Sequence, residues 1–309
     1  MQQVYPNYYP NFRCIAGDCR HSCCVGWEID VDAEARKKYR SIGGDLGERL
    51  KKNITRGKTP HFQLTDGERC PFLNEQNLCD LILFGGEELL CQICSDHPRF
   101  RNFFSTRTEI GLGLCCEEAA RMILSQQEKV TFINAGEAEL LDMEETAFLA
   151  LRDELFALAQ DRSVPIAARE DAILRRVGVT MPERSAREWA AFYLSLERMD
   201  EAWTTLLQDL DDVDNAAFTA YMQPRETEYE QLLCYFIYRH LPAALDDGDA
   251  SGKAAFAVLS TRFLRQLGAW RYRKTGRFTR CDQIELARLY SAEIEYSLEN
   301  LDTLFDELG

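Results

Sequence analysis

The sequence predicts a mainly α protein, with a cysteine-rich irregular N-terminal metal-binding region and a small β-hairpin element packed on a helical C-terminal body. Two observations carry that reading. Ten of the twelve cysteines fall between Cys14 and Cys116, and the tightest group reads Cys14-x4-Cys19-x3-Cys23-Cys24. From about residue 137 onward, apolar residues recur almost throughout at helical period. The expected division is therefore 1–125 for the cysteine-rich region and 126–309 for the helical domain. A chain of 309 residues can bury a sizeable core, and no internal repeat or long low-complexity segment interrupts it.

Taken in order, Asp30 or Asp32 can cap a short helix over 33–39 that ends before Gly43-Gly44, and a second helix covers 46–53. Around Cys70-Pro71-Phe72-Leu73, the polar run Asn74-Glu75-Gln76-Asn77 separates two apolar pieces, as in a hairpin. Glu87 to Cys94 reads as one helix that sets Cys91 and Cys94 on one face, stopped by Pro98. Phe103 to Leu114 has strand character, and Glu117-Glu118 starts a helix with acids in its first turn. Farther on, Phe192, Leu196, Met199, Trp203, Leu206 and Leu210 recur at steps of four and three, which predicts one long helix with a single apolar stripe. Val164-Pro165, Met181-Pro182 and 246–252 mark helix connections. Cys234 and Cys281 sit in helical apolar surroundings and read as small buried hydrophobes.

The opening Met1-Gln2-Gln3-Val4-Tyr5-Pro6 shows no basic stretch followed by an apolar run, and no apolar run of about eighteen residues or more exists. The expectation is a cytoplasmic protein with no membrane contact, whose clustered thiols stay reduced and bind metal rather than pair as disulfides. The net charge of -15 is uneven: residues 1–125 hold 16 basic and 17 acidic residues, the remainder 20 and 34. Such a surface repels phosphate backbones, so no nucleic acid is expected as partner, while a basic or lysine-bearing protein segment is drawn to it. Solvation of a helical surface is the plainer role for the same charge.

Thiolates suit zinc, copper(I) and iron-sulfur clusters. Structural zinc sites usually show paired C-x2-C knuckles, and only Cys91-x2-Cys94 has that form. The ragged remaining spacings favour an iron-sulfur cluster, with zinc as the alternative. Adjacent Cys23 and Cys24 imply either one ligand beside one packing thiol or two separate metals, and spacing does not choose. His21 and His97 neighbour cysteines and are further possible ligands. Other signatures fail. Gly26 stands where a radical-type C-x3-C-x2-C signature needs its third cysteine. Gly111-x-Gly113 lacks the rest of a dinucleotide-binding turn, and no Gly-Lys-Ser/Thr phosphate loop occurs.

Beyond the spacings, Tyr5-Pro-x-Tyr, Phe12-x-Cys14-Ile15, Asp18-Cys19, Ser22-Cys23-Cys24-x-Gly26-Trp27-x-Ile29, Cys70-Pro71-Phe72-Leu73, Leu78-Cys79 and Leu90-Cys91-x2-Cys94 with Pro98-Arg99 resemble the flagellin lysine-N-methylase family. Glu118-Ala119-Ala120-Arg121, Glu197-Arg198-Met199-Asp200 with Trp203, Tyr235-Phe236-Ile237-Tyr238-Arg239-His240, and Tyr290-Ser291-x-Glu293-Ile294-Glu295-x-Ser297-x-x-Asn300 continue the resemblance to near the end of the chain. It implies methyl transfer from S-adenosylmethionine to lysine side chains of flagellin, with a 4Fe-4S cluster. It also implies that Cys14, Cys19, Cys23, Cys24, Cys70, Cys79, Cys91, Cys94 and Cys116 match family cysteines. Two positions depart from the pattern. Cys115 stands in place of a serine, which marks it as a non-ligand, and His97 replaces a common tyrosine.

A lysine methylase must deprotonate an ammonium and align it with the sulfonium methyl. Tyr290, Glu293 and Glu295 are the candidate catalytic groups, weighed against a plain buried-helix reading. Two other functions fit the same residues: a zinc-stabilised flagellin-binding or interaction protein without catalysis, and an iron-sulfur electron-transfer protein.

Overall fold

The computed structural model describes residues 2–137 and 140–308. The chain forms two compact units: Arg13–Arg99 with Cys116–Glu118, and Met1–Phe12 with Phe100–Cys115 and Ala119–Gly309.

The smaller unit has little regular structure. Its helices are α1 (Ala33–Arg40), α2 (Gly44–Asn53), α3 (Asp80–Gly85) and α4 (Gln92–Asp96). Asp32 is the cap of α1: its Oδ1 accepts the Glu34 and Ala35 N–H groups at 3.0 and 2.9 Å. Its other oxygen, Oδ2, accepts the Gln92 N–H that opens α4, at 2.8 Å. One carboxylate thus serves two helix N-termini 60 residues apart in sequence. The hairpin element is a tight turn whose Asn74 side chain accepts the Gln76 and Leu78 N–H groups, flanked by an antiparallel bridge between Leu73 and Cys79. The single helix expected over Glu87–Cys94 is instead two pieces, a 3-10 turn Glu87–Leu89 and then α4. Leu90 and Cys91 between them are extended, so Cys91 precedes the helix rather than sharing a face with Cys94. The pull of Asp32 on the Gln92 N–H fixes that break.

The larger unit carries a four-stranded sheet in the order β2-β3-β1-β4, with β1 Gln2–Pro6, β2 Arg99–Phe103, β3 Arg107–Leu112 and β4 Phe132–Ala135. β1 runs parallel to β3 (Gln3 opposite Thr108) and antiparallel to β4 (Val4 opposite Asn134). The strand-like run near Phe103 to Leu114 is there; β1 and β4 were not legible, because their partners lie about a hundred residues away or more. Gly111 has a packing reason rather than a nucleotide-binding one: a Cβ there would meet the Phe100 ring at 2.2 Å.

After α5 (Glu117–Ser125), the helices are α6 (Met143–Ala159), α7 (Ile166–Val177), α8 (Ala186–Ser195), α9 (Glu201–Asp209), α10 (Ala216–Met222), α11 (Thr227–His240), α12 (Ala244–Asp247), α13 (Ala250–Thr275), α14 (Arg280–Tyr290) and α15 (Leu298–Leu308). A π-helical turn, Ser291–Glu295, follows α14. α11 and α13 are buried along most of their length and form the centre of the unit. Buried carboxylates tie neighbouring helices: Glu170 of α7 holds Arg262 and Arg265 of α13, and Glu230 of α11 holds Arg162 and Arg169.

The long helix expected through residues 192–210 is broken. α8 ends at Ser195 and α9 starts at Glu201, and Met199 lies in the connection, 63 % exposed. Leu196, Trp203 and Leu210 are nonetheless all buried, the first at the end of α8, the second within α9 and the third at its C-cap. Cys234 is buried as expected, but Cys281 is exposed in the first turn of α14, so its apolar neighbours in sequence turn inward without it. Among the described residues, no helix is long and apolar enough to cross a membrane.

Candidate functional site

In the smaller unit the thiols gather around an apolar core of Ile29, Val31, Tyr39, Leu50, Phe62, Phe72 and Leu81. Cys70 and Cys91 belong to that core, and Cys24, Cys79 and Cys94 pack against it. Backbone geometry brings distant stretches together here: the Cys70 N–H donates to the Cys24 carbonyl at 2.8 Å, and Cys79 sits at the start of α3. The Tyr39 hydroxyl donates to the Leu89 carbonyl at 2.7 Å and lies 3.3 Å from the Cys91 sulfur. Cys91 and Cys94 hydrogen-bond to each other, which holds the Cys91 thiol below its usual range and raises that of Cys94. Burial pushes the Cys70 thiol up to about 12 and raises that of Cys79.

Cys14 and Cys23 are exposed, and Cys19 and Cys116 are half-buried. The Cys19 thiol donates to the His21 carbonyl at 3.3 Å and stands 3.9 Å from Glu117, whose carboxylate also accepts from Arg20 at 2.9 Å. Cys23 and Cys24 hydrogen-bond to each other; that contact holds Cys24 down at about 7 and raises Cys23. His97 is neutral: burial, with Arg99 nearby, pushes its imidazole down to about 4, and its ring lies 6.2 Å from Trp27.

Among the described residues, no three His, Cys, Asp or Glu side chains are already gathered closely enough to hold a metal ion. The donor chemistry nevertheless fits a thiophilic metal. Burial opposes ionisation of Cys70 and Cys79, and a bound cation is what deprotonates such thiols and compensates their charge.

The three carboxylate and phenol candidates of the larger unit lie along one segment but face different surroundings. Tyr290 is wholly buried among Tyr193, Trp203, Phe236 and Phe263, and its hydroxyl meets Ser260 at 2.8 Å and Tyr193 at 3.2 Å. Glu293 accepts the Met199 and Asp200 N–H groups at 2.9 and 2.8 Å and so holds the connection between α8 and α9. Asn300 completes that arrangement, accepting from the Glu197 N–H and donating to the Glu197 and Glu293 carbonyls.

Glu295 is different. Its side chain is fully buried, its Oε2 is 2.9 Å from Arg239 and 3.5 Å from His240, and it accepts from the Tyr235 hydroxyl at 2.6 Å. Its other oxygen, Oε1, has no hydrogen-bond partner. Burial opposes its charge, yet Arg239, His240 and Tyr235 hold the carboxyl below the usual range. The Tyr235 hydroxyl also accepts from Arg239 at 2.8 Å and from the Leu114 N–H at 3.1 Å. Arg239 packs over the Phe100 and Tyr296 rings, and Tyr296 hydrogen-bonds the Cys115 thiol, which burial pushes up to about 11. The sequence pointed to Glu295 and to the Tyr235–His240 run separately. Their pairing was missed because no local spacing links residues sixty positions apart.

A groove of about 480 Å³ opens elsewhere in this unit, lined by Arg175, Met181, Glu183, Arg184, Trp189 and Arg262. Arg184 pairs with Glu307 at 2.6 Å and lies over the Trp189 ring, and its Nη1 is buried without a hydrogen-bond partner.

Residues 108–309 match the family described as FliB lysine N-methylase C-terminal domain. Over 131 residues, 40% of this chain, it is 30% identical to a lysine-N-methylase of Salmonella choleraesuis and equally to one of Salmonella typhimurium. The match covers 32% of each, so the chain spans about a third of the length of these curated relatives. It is also 30% identical to the flagellar biosynthetic protein FliU of Salmonella muenchen, covering 77% of that protein. No solved structure matches the chain.

Proposed function

Since the chain belongs to the FliB lysine N-methylase C-terminal domain family, we propose that it is a protein-lysine N-methyltransferase that transfers methyl from S-adenosylmethionine to lysines of flagellin in the cytoplasm. The observation that carries this reading is the family match over residues 108–309, which takes in every residue of the Glu295 cluster except Phe100. The acidic C-terminal portion suits a lysine-bearing substrate, because opposite charge speeds encounter.

An iron-sulfur cluster on thiols of the smaller unit belongs to the same proposal; when bound, it supplies redox-active or Lewis-acidic iron. The thiols that would hold it are drawn from Cys70 and Cys91 of the apolar core and Cys24, Cys79 and Cys94 packed against it. The methyl donor carries a carboxylate. Arg184, with an unpaired buried Nη1, and Arg175 beside it in the groove are the groups proposed to bind that carboxylate. Glu295, Arg239 and Tyr235 supply a fixed electrostatic frame. Tyr290 and Glu293 act through folding: one fills the aromatic core and the other holds the connection between α8 and α9.

Co-expression of the full chain with flagellin, followed by intact-mass measurement of the flagellin, tests this directly. Increments of one methyl group, lost when the chain is omitted, are expected; an unmodified flagellin with accessible lysines would overturn the proposal.

A further inference from the structure

Met199 and Glu293 lie 94 residues apart in sequence, yet their segments are bound side by side. Glu293 accepts the Met199 and Asp200 N–H groups. Asn300 accepts the Glu197 N–H at 3.0 Å and donates to the Glu197 and Glu293 carbonyls at 2.9 Å each. The Ser297 hydroxyl donates to the Glu197 carboxylate at 2.9 Å. Glu293, Ser297 and Asn300 are buried, so the bonds form a sheltered frame that fixes both segments.

What this frame presents to solvent is apolar: Met199 is 63 % exposed, Tyr296 48 % and Leu298 79 %. The Tyr296 ring is held from behind by Arg239, 4.9 Å from its centroid, which ties the surface to the buried Glu295 cluster. An adaptable methionine beside a fixed aromatic ring is the kind of anchor that protein contacts use. Charge of one sign surrounds these side chains. Glu197, Glu201, Glu299 and Asp302 are exposed, and Arg198 is the one basic residue in 197–202 and 293–303. Its guanidinium turns back onto the Leu194 and Leu196 carbonyls at the end of α8. The helix dipole accounts for Glu201 and Glu299, in the first turns of α9 and α15, but not for Asp302.

We propose that Met199, Tyr296 and Leu298, rimmed by Glu197, Glu201, Glu299 and Asp302, form the docking surface for a lysine-bearing segment of the protein substrate. The choice of partner rests on the methylase reading above. Apolar anchors on a fixed frame supply the hold, and the acidic rim draws in and orients ammonium groups. A second copy of this chain fits less well, because a two-fold contact would set the same carboxylates against each other.

Calorimetric titration of purified flagellin into the full chain, without methyl donor, tests the surface. Met199→Ser and Leu298→Ser should each weaken binding about fivefold. A Glu299→Lys, Asp302→Lys double variant should weaken it and flatten its salt dependence, and flagellin with acetylated lysines should bind less tightly than native flagellin. Met143→Ser, which removes a side chain 89 % exposed on α6, should leave binding unchanged. Native affinity in both serine variants of the surface, or an equal loss in Met143→Ser, would overturn the proposal. So would self-association of the native chain that Leu298→Ser abolishes, which would assign the surface to a second copy. Methyl transfer with an unchanged KM in the surface variants would overturn the docking surface and leave the methylase reading intact. Flagellin bound through these side chains but never methylated would do the reverse.

Discussion

The Glu295 carboxylate stands 2.9 Å from the Arg239 guanidinium with its side chain wholly removed from solvent. Two turns of chain that the sequence presents as unrelated motifs are joined there by a buried ion pair. Such a pair adds less to stability than its geometry suggests, because both charges were desolvated to form it, but breaking it strands a charge.

Glu295→Gln is therefore expected to destabilise the larger unit by roughly 3–5 kcal/mol, since Arg239 would remain buried without its counter-ion. Chemical denaturation of the variant against the native chain measures this. A double variant that replaces both residues with apolar ones should recover much of the loss.

Asp32→Ala removes two helix caps at once, and a loss of about 2 kcal/mol is expected. Partial burial works against the Asp32 charge, but the Ala35, Gln92 and Glu34 N–H groups hold its carboxyl below the usual range. Its stabilising contribution is then complete above the unfolded value near about 4 and is lost as pH falls through the lower folded value. Asp32→Asn should be less stable than the native chain at neutral pH, and the gap should narrow in acid; urea titrations at several pH values test this.

His97 gives the opposite type of group, a base whose folded pKa of about 4 lies below its ordinary value. Below about pH 6.5 the unfolded chain takes up a proton that the folded chain refuses, so stability falls with acidification until about pH 4 and is unaffected above pH 6.5. A His97→Asn variant should show a shallower fall over that interval in thermal melts.

Tyr290→Phe removes a hydroxyl shared with Ser260 and Tyr193. The expected cost is about 1 kcal/mol of stability with methyl transfer retained. Loss of transfer in a fully folded variant, read by flagellin mass, would instead give that hydroxyl a chemical part.

Arg184→Ala is expected to weaken S-adenosylmethionine binding by roughly tenfold or more, as loss of a charge-assisted contact to a carboxylate does. Calorimetric titration of the full chain measures it, and unchanged affinity would remove the groove from the proposal.

Much of this molecule could be read from local pattern. The cap at Asp32, the turn at Asn74, the start of α5 and the connections near Pro165, Pro182 and Gly248 follow from residue types that favour one backbone conformation within a few positions. The site was legible as a list of thiols and acids. Their grouping was not: whether Cys70 and Cys91 share one apolar core, and whether Glu295 meets Arg239, depends on chain segments that meet only after folding. The unbroken helix expected through residues 192–210 failed for the same reason, because Glu293, about ninety residues later, holds the Met199 and Asp200 N–H groups out of helical pairing. Sequence by itself determined the mainly helical class, the wealth of soft ligands and the family resemblance, because composition and short-range spacing fix these. Only tertiary structure decided which thiols share the apolar core and which acid is buried beside a base, because burial and long-range hydrogen bonds are properties of the packed chain.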